Sequence, residues 1–556
     1  MNNAGSSAIR RFVWLALLLA VVCAFAFQGS RGLYETTEGR YALCALEMVK
    51  SGNWMEPTIT GVHHWTKPPL GYWAIAGGIK LAGVNEWGAR LSNALALCLT
   101  ALFVGLLAAR MWNDRRTGVL AALVYATAIF PVATANTVNT DTLLCLWETL
   151  ALFCFWRGVV AARPESGRWW MTGMWAAFGL GFLTKGPPVL LPLLAVVAWN
   201  FSRPKADRCW GAIFNPAGIA LFFAVGFWWF LAMIVRHPEL LDYYLKKELV
   251  DRVATNEFGR NPEWYAPFML YFPVLLFGGG LWSFYFWRPL RSGGWRRKDS
   301  WTALWRASGP KLFLVLWLAL PLAVFCVSQS RLTTYVLPLF APVALAAARL
   351  ARNTDWTGEQ PRRRVLVFAL AAAALLVAGK GFMGFIPEMQ AALEVSGSKS
   401  AKQLEGNLKR NMSAMYAVCR PFDAATGVRI LMMDENEKLG FDFYARAPVT
   451  RVGLGSDGVA PDKRTEKNRK LLLEPVLRDS LARGEHLLAV CDSVSMKDFE
   501  RQLWQAGWSF KTLAFKRSCN VVELVPPRPS NRLPPVLMQL RRLSRASSPS
   551  APGLAP

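Results

Sequence analysis

Two acids and five cations stand out in a largely apolar chain: Glu38 and Asp141, with Arg40, Lys67, Arg90, Lys185 and Arg331. They cluster where apolar runs begin or end. A charge beside hydrocarbon is costly to desolvate, so such a set needs a reason. Glu38 lies in Leu33-Tyr34-Glu35-Thr36-Thr37-Glu38-Gly39-Arg40-Tyr41, after the first apolar run. A carboxylate there could bind a metal, act as a base or orient a hydroxyl; the ordinary reading is a solvated loop acid paired with Arg40. Glu35 reads as a solvated neighbour. Asp141, in Asn139-Thr140-Asp141-Thr142-Leu143, opens an apolar run. Its ordinary reading is an N-cap or first-turn acid, and a capped acid is also a fixed one. Lys185 interrupts a run in Leu183-Thr184-Lys185-Gly186-Pro187. Snorkelling accounts for any one cation. Five on one face suit a phosphate, with Arg binding bidentately and Lys as a point charge. A phosphate on a lipid carrier would arrive at this depth.

The four histidines are His63, His64, His237 and His486. Adjacent His63 and His64 could ligate a metal, but they need a third ligand that the sequence does not single out. No cofactor is predicted from these residues, and a divalent metal is left open. Gly-rich phosphate loops, nucleophile triads and HExxH are absent from the sequence.

The elements that must position these groups are membrane helices. Of 556 residues, 53% are hydrophobic. Apolar runs at 12–28, 92–110, 117–135, 142–160, 169–184, 187–201, 215–235, 266–288, 312–328, 335–350 and 364–385 have near-spanning length. The fold class is therefore mainly α, a polytopic membrane protein. Its first run reads as a retained anchor, because no convincing small-residue cleavage site follows it. The formal charge of +26 sits largely in alternate short loops, which obeys the positive-inside rule and argues against nucleic acid. With a cytoplasmic N-terminus, the opening loop, Asp141, Lys185, the 236–265 loop and Arg331 share the external side. Residues 40–50 predict an amphipathic helix in the interface. A transporter or flippase would place ionisable groups near the midplane in broken helices, and a scaffold would not need the cations.

The expected domains are a transmembrane unit over 1–386 with external loop 29–90, an external α/β domain over 387–527, and a disordered tail over 528–556. The Pro-, Ser- and Arg-rich composition marks the tail. Strands are expected at 428–433, 486–491, 510–515 and 521–525, and a helix at 495–506.

Thr37-Glu38-Gly39-Arg40-Tyr41-Ala42, Ser51-Gly52-Asn53-Trp54 and Lys67-Pro68-Pro69-Leu70-Gly71-Tyr72-Trp73 together resemble the first external loop of the ArnT-like bacterial aminoarabinose transferases, which are related to protein O-mannosyltransferases. The likeness continues through Gly88-Ala89-Arg90-Leu91, the Asp141 segment, Leu183-Thr184-Lys185-Gly186, Glu263-Trp264-Tyr265 and Ser330-Arg331-Leu332-Thr333-Thr334-Tyr335. It implies a GT-C glycosyltransferase fold, to which the apolar runs contribute about 11–13 transmembrane helices when one or two short or re-entrant segments are allowed for. It also implies an undecaprenyl (polyprenyl) phosphate-linked sugar donor, a lipid A or lipopolysaccharide acceptor, and a periplasmic site on the bacterial inner membrane. On this likeness Asp141 holds the second acidic position, while Lys67, Lys185 and Arg331 hold phosphate-binding positions beside Arg40 and Arg90. Thr37, Tyr41 and Tyr335 would line the substrate pocket. There are departures. Thr37 stands where the aminoarabinose enzymes carry their principal loop aspartate, leaving Glu38 as the acid there. Thr66 stands where they carry a metal-associated glutamate, and no histidine precedes Trp264-Tyr265. These departures weigh against zinc and against aminoarabinose. They favour, as an alternative, hexose transfer to an O-antigen, glycan or protein hydroxyl.

Overall fold

The computed structural model describes residues 3–35, 37–246, 261–292, 298–357, 361–395, 412–420, 427–433, 438–454, 471–491, 495–516 and 519–527. The tail over 528–556 and much of the 236–265 loop lie outside the described residues. The chain divides into two units. One comprises Met1–Ala414 with Lys438–Tyr444; the other comprises Met415–Glu437 with Ala445–Pro556.

The first unit is helical. Its early elements are α1 (Asn3–Phe25), α2 (Thr37–Ser51), α3 (Leu70–Ala82), α4 (Glu86–Met111), α5 (Arg115–Ala126), α6 (Ile129–Ala135), α7 (Asp141–Val159) and α8 (Pro164–Lys185). By length and apolar composition, six helices among the described residues can cross a membrane, or eight when each of two bent pairs is one span. The chain is a multi-pass membrane protein. The bends have local causes. Helices α5 and α6 meet at 55°. Pro131 lacks the N–H that would bond the Thr127 carbonyl, and its ring would clash with that carbonyl, so the helix breaks there. Ala266–Phe277 meets Gly280–Arg291 at 95°, across Gly278-Gly279-Gly280, and Gly280 takes a φ of 62°.

Helix α2 begins three residues earlier than the expected amphipathic helix. It buries Glu38, Gly39, Ala42, Leu43, Cys44, Leu46 and Met48. The hairpin of β1 (Thr58–Ile59) and β2 (Val62–His63) follows it. Glu47 pins the hairpin turn, accepting from Thr58 Oγ1 at 2.6 Å and Thr60 N at 2.5 Å. Helix α3 was not anticipated; Pro68-Pro69 does not prevent it but sets where it starts. The segment Leu439–Tyr444 also belongs to this unit. Gly440 N–H donates to Glu35, and a Cβ on Gly39 would come within 2.4 Å of Gly440 N. Glu35 is thus an acceptor for this segment, not a solvated acid.

The second unit holds a six-stranded sheet in the order β5 (Leu471–Leu472), β4 (Val449–Gly453), β3 (Val428–Met433), β6 (His486–Cys491), β8 (Cys519–Val525) and β7 (Ser509–Lys516). The first four are mutually parallel and the last two pair antiparallel. Central strands β3 and β6 are buried at nearly every position, as covered parallel strands require. Helices Leu473–Ala482 and Met496–Gln505 contribute Val476, Leu477, Phe499 and Leu503 to its core.

Candidate active site

Glu38 is 4% exposed and saturated. Oε2 accepts from Arg31 Nη1 at 2.5 Å and Tyr34 N at 2.9 Å; Oε1 accepts from Arg90 Nε at 3.0 Å and Val138 N at 2.8 Å. Arg40, the partner expected from sequence, is not among these donors. Burial by itself would raise the Glu38 pKa, but the charges and hydrogen bonds of Arg90 and Arg31 bring it down to about 2. Arg90 is fully buried. Its Nη1 donates to Gln28 O and Arg31 O at 3.0 and 2.8 Å, and its Nη2 to Gly32 O at 3.0 Å. Arg31 Nη2 adds Asn136 O at 2.6 Å. This clasp joins the residues between α1 and α2 to the start of α4 and to the residues leading into α7.

A second cluster lies at the start of α7. Asp141 is its first residue and Thr140 its N-cap; one residue earlier, Asn139 Oδ1 accepts from Thr142 N at 2.9 Å and so ties down the first turn. Lys185 ends α8, where Gly186 takes a φ of 84° and Pro187-Pro188 stop the helix. Its Nζ ion-pairs with Asp141 Oδ1 and lies 4.9 Å from the Tyr335 ring centroid. Tyr335 sits on the 3₁₀ segment Thr333–Leu339, packed against Phe325 at 6.0 Å. Tyr41 on α2 is half-buried; burial, then the negative charge of Asp141, pushes its hydroxyl pKa up. Gly71 brings α3 to this place: a Cβ there would lie 2.6 Å from Thr140 Cγ2 and 3.8 Å from Thr184 O. Lys67, 9% exposed, precedes that helix start by three residues. Thr37 is exposed and Arg40 half-buried on the same first turn as Glu38.

Residues 29–244 match the protein family described as dolichyl-phosphate-mannose-protein mannosyltransferase. Over 366 residues the chain is 32% identical to the undecaprenyl phosphate-alpha-4-amino-4-deoxy-L-arabinose arabinosyl transferase of Edwardsiella ictaluri, covering 64% of this chain and 63% of that protein. A transferase of the same description from Sodalis glossinidius is 34% identical over 322 residues, covering 58% and 56%. The crystal structure of ArnT from Cupriavidus metallidurans bound to undecaprenyl phosphate superposes with a TM-score of 0.67 at 21% identity, over 93% of this chain and 99% of that one. The chain is thus similar in sequence to the aminoarabinose transferases and shares its fold with ArnT. The sequence matches to the first two relatives span less than two thirds of their length. The shared fold is the GT-C fold expected from the loop motifs.

In this chain the cations do not form a single group. Lys185, beside Asp141, belongs to the second cluster. Lys67 is buried three residues before the start of α3, and Arg90 serves the Glu38 clasp. Arg331, 3% exposed, donates to Asn261 O, Glu263 O and Cys326 O at 2.9, 3.0 and 3.0 Å. It ties residues 261–263 to the end of the helix Pro310–Val327. Arg31 is the participant that sequence reasoning missed; its signal was its place seven residues before Glu38. Buried Glu148 and Lys380 were also missed. Lys380 Nζ donates to Cys23 O, Ala24 O and Gln28 Oε1 at 3.0, 3.0 and 2.9 Å, capping the end of α1. Thr66, at the position where the resemblance implied a metal-associated glutamate, hydrogen-bonds His64 Nε2 through its hydroxyl at 2.6 Å and offers no carboxylate.

Proposed function

We propose that this protein is an integral-membrane glycosyltransferase of the bacterial inner membrane. It moves a sugar from an undecaprenyl phosphate carrier to an envelope acceptor, lipid A or lipopolysaccharide, on the periplasmic side. The supporting observation is the Asp141–Lys185 pair under Tyr335, where α3, α7 and α8 converge at a membrane boundary. In this reading the acceptor oxygen attacks the anomeric carbon as the bond from that carbon to the phosphate oxygen breaks. The electron pair leaves with the lipid phosphate, and Lys185 and Lys67 stabilise the charge developing there. Asp141 orients the acceptor and takes its proton when the acceptor is a hydroxyl; a phosphate acceptor, already anionic, needs positioning more than a base. Tyr335, Tyr41 and Thr37 line the sugar side. Arg40 faces the anionic substrates from α2, and Arg331 positions residues 261–263. Glu38 and Arg90 act as positioning residues, because their hydrogen-bonding capacity is already engaged by the protein.

Thr37 and Thr66, standing where the aminoarabinose enzymes carry acids, favour a second reading in which a hexose passes to a glycan or protein hydroxyl. Transfer from radiolabelled undecaprenyl-phosphate sugars in membranes tests the site. Lys67→Ala, Asp141→Ala and Lys185→Ala should each lower the rate by about 100-fold or more. Near-normal rates in all three would overturn the assignment. Mass spectrometry of lipid A, polysaccharide and envelope proteins, with and without the gene, separates the acceptors by the fraction that loses one sugar.

A further inference from the structure

We propose that Glu56, His63 and His237 form a transition-metal site, of the zinc class, that fastens the first external loop to the end of the helix Pro216–Arg236. One ligand atom from each lies within 4.8 Å of the others. These are not the position-66 and pre-Trp264 residues that the family pattern would supply. The three come from distant parts of the chain, and each is locally held. Asn53 Oδ1 accepts from Glu56 N at 3.2 Å and so sets the turn that carries the carboxylate. His63 ends β2, in register with Thr58 across the hairpin. His237 caps the helix, its backbone N–H donating to Met233 O at 2.8 Å.

The spacing points to an ion. His237 Nε2 is 3.8 Å from Glu56 Oε1, too far for a hydrogen bond. Around a tetrahedral zinc with bonds of about 2.0–2.1 Å, neighbouring ligand atoms stand roughly 3.3–3.4 Å apart, so the 3.8 Å pair closes with a shift of about half an ångström and the others, all within 4.8 Å, with about 1.5 Å or less, which side-chain rotation supplies. Neither imidazole makes a hydrogen bond among the described residues, which leaves their nitrogens available. Trp65 packs on both rings, at 5.0 Å from His63 and 5.2 Å from His237, and so restricts their orientation. Glu239 Oε1 stands 3.7 Å from His237 Nδ1, on the far side of that ring, near enough to hydrogen-bond it after a small rotation. Two imidazoles and one carboxylate select zinc over magnesium or calcium and leave a fourth position open. Trp229 Nε1 donates to Met55 O at 2.8 Å, and Arg236 Nη1 to Glu56 Oε1 at 3.0 Å, so the two elements already meet without the ion. The metal adds a clamp four residues before Lys67. This inference is independent of the transfer reaction.

The test uses the full chain in detergent, stripped with chelator and dialysed against zinc. Wild type should retain about one ion per chain by elemental analysis, and its unfolding midpoint should rise with zinc concentration. His63→Ala, His237→Ala and Glu56→Gln should each bind at least tenfold more weakly and lose the midpoint shift. His486→Ala, in the second unit, should behave as wild type. Metal-free midpoints report whether each variant is folded. Should an alanine variant fail to fold, cobalt absorption compared between wild type and Glu56→Gln reads the same ligation. Retention of the ion by the His63→Ala/His237→Ala double variant would overturn the proposal, as would a wild type that retains none.

Discussion

The two charged clusters of the membrane unit are built from the same residue types and differ in what is left over. Around Glu38, two guanidiniums and two backbone N–H groups occupy both carboxylate oxygens, and both acid and arginines are 5% exposed or less. Around Asp141, one lysine makes one ion pair, and the side chains are 10% and 12% exposed. Lys185 keeps further donors, and an aromatic ring covers it. A buried charge whose every hydrogen bond is met by protein holds the fold together. A charge at a boundary with donors to spare can bind another anion. The sequence presents both clusters alike, as acids beside basic residues near hydrocarbon.

The sharpest way to break this contrast is to remove one member of each cluster. Arg90→Ala should leave Glu38 uncompensated in the interior, at a cost of about 3–5 kcal/mol. The expected outcome is little folded protein in membranes, read by fluorescence-detection size exclusion. Lys185→Ala should fold normally and lose transfer. If Arg90→Ala folds and Lys185→Ala does not, the two roles are exchanged.

Acid sharpens the same contrast. The Glu38 pKa is depressed from 4.5 to about 2, so its contribution to stability is present above the unfolded value and is lost as pH falls towards the folded one. The difference in unfolding midpoint between wild type and Glu38→Gln should therefore be constant near neutrality and shrink below about pH 4.5. A gap that stays constant to pH 3 would count against the clasp.

A smaller effect is expected from Gly71→Ala, whose new Cβ would press on Thr140 Cγ2 beside Asp141. Transfer should fall severalfold with folding retained, and adding Thr140→Ser, which removes that methyl, should restore part of it. Absence of rescue would mean that the contact does not position Asp141. The smallest effect concerns Tyr335. Tyr335→Leu should cost about 0.5–1 kcal/mol of cation–π attraction to Lys185, a two- to fivefold loss, while Tyr335→Phe should keep most of it.

Much of the fold was legible because its causes are local. Apolar runs of spanning length, the Gly186-Pro187-Pro188 stop after α8 and the strand patterns at 428–433 and 486–491 are written in adjacent residues. So was the presence of Glu38, Asp141, Lys67 and Lys185 as groups that hydrocarbon would not tolerate without a role. What each does was not legible. Helix packing decided it: Arg90, 52 residues away, closed Glu38 into a clasp, and Lys185, 44 residues away, met Asp141 at a helix start. In the same way His237 reached Glu56 and His63, although the sequence offered only an adjacent histidine pair. Hydrophobicity and chain stiffness act over a few residues and can be read in order. The pairing of a buried charge depends on which helices pack together, and that is set only when the whole bundle closes.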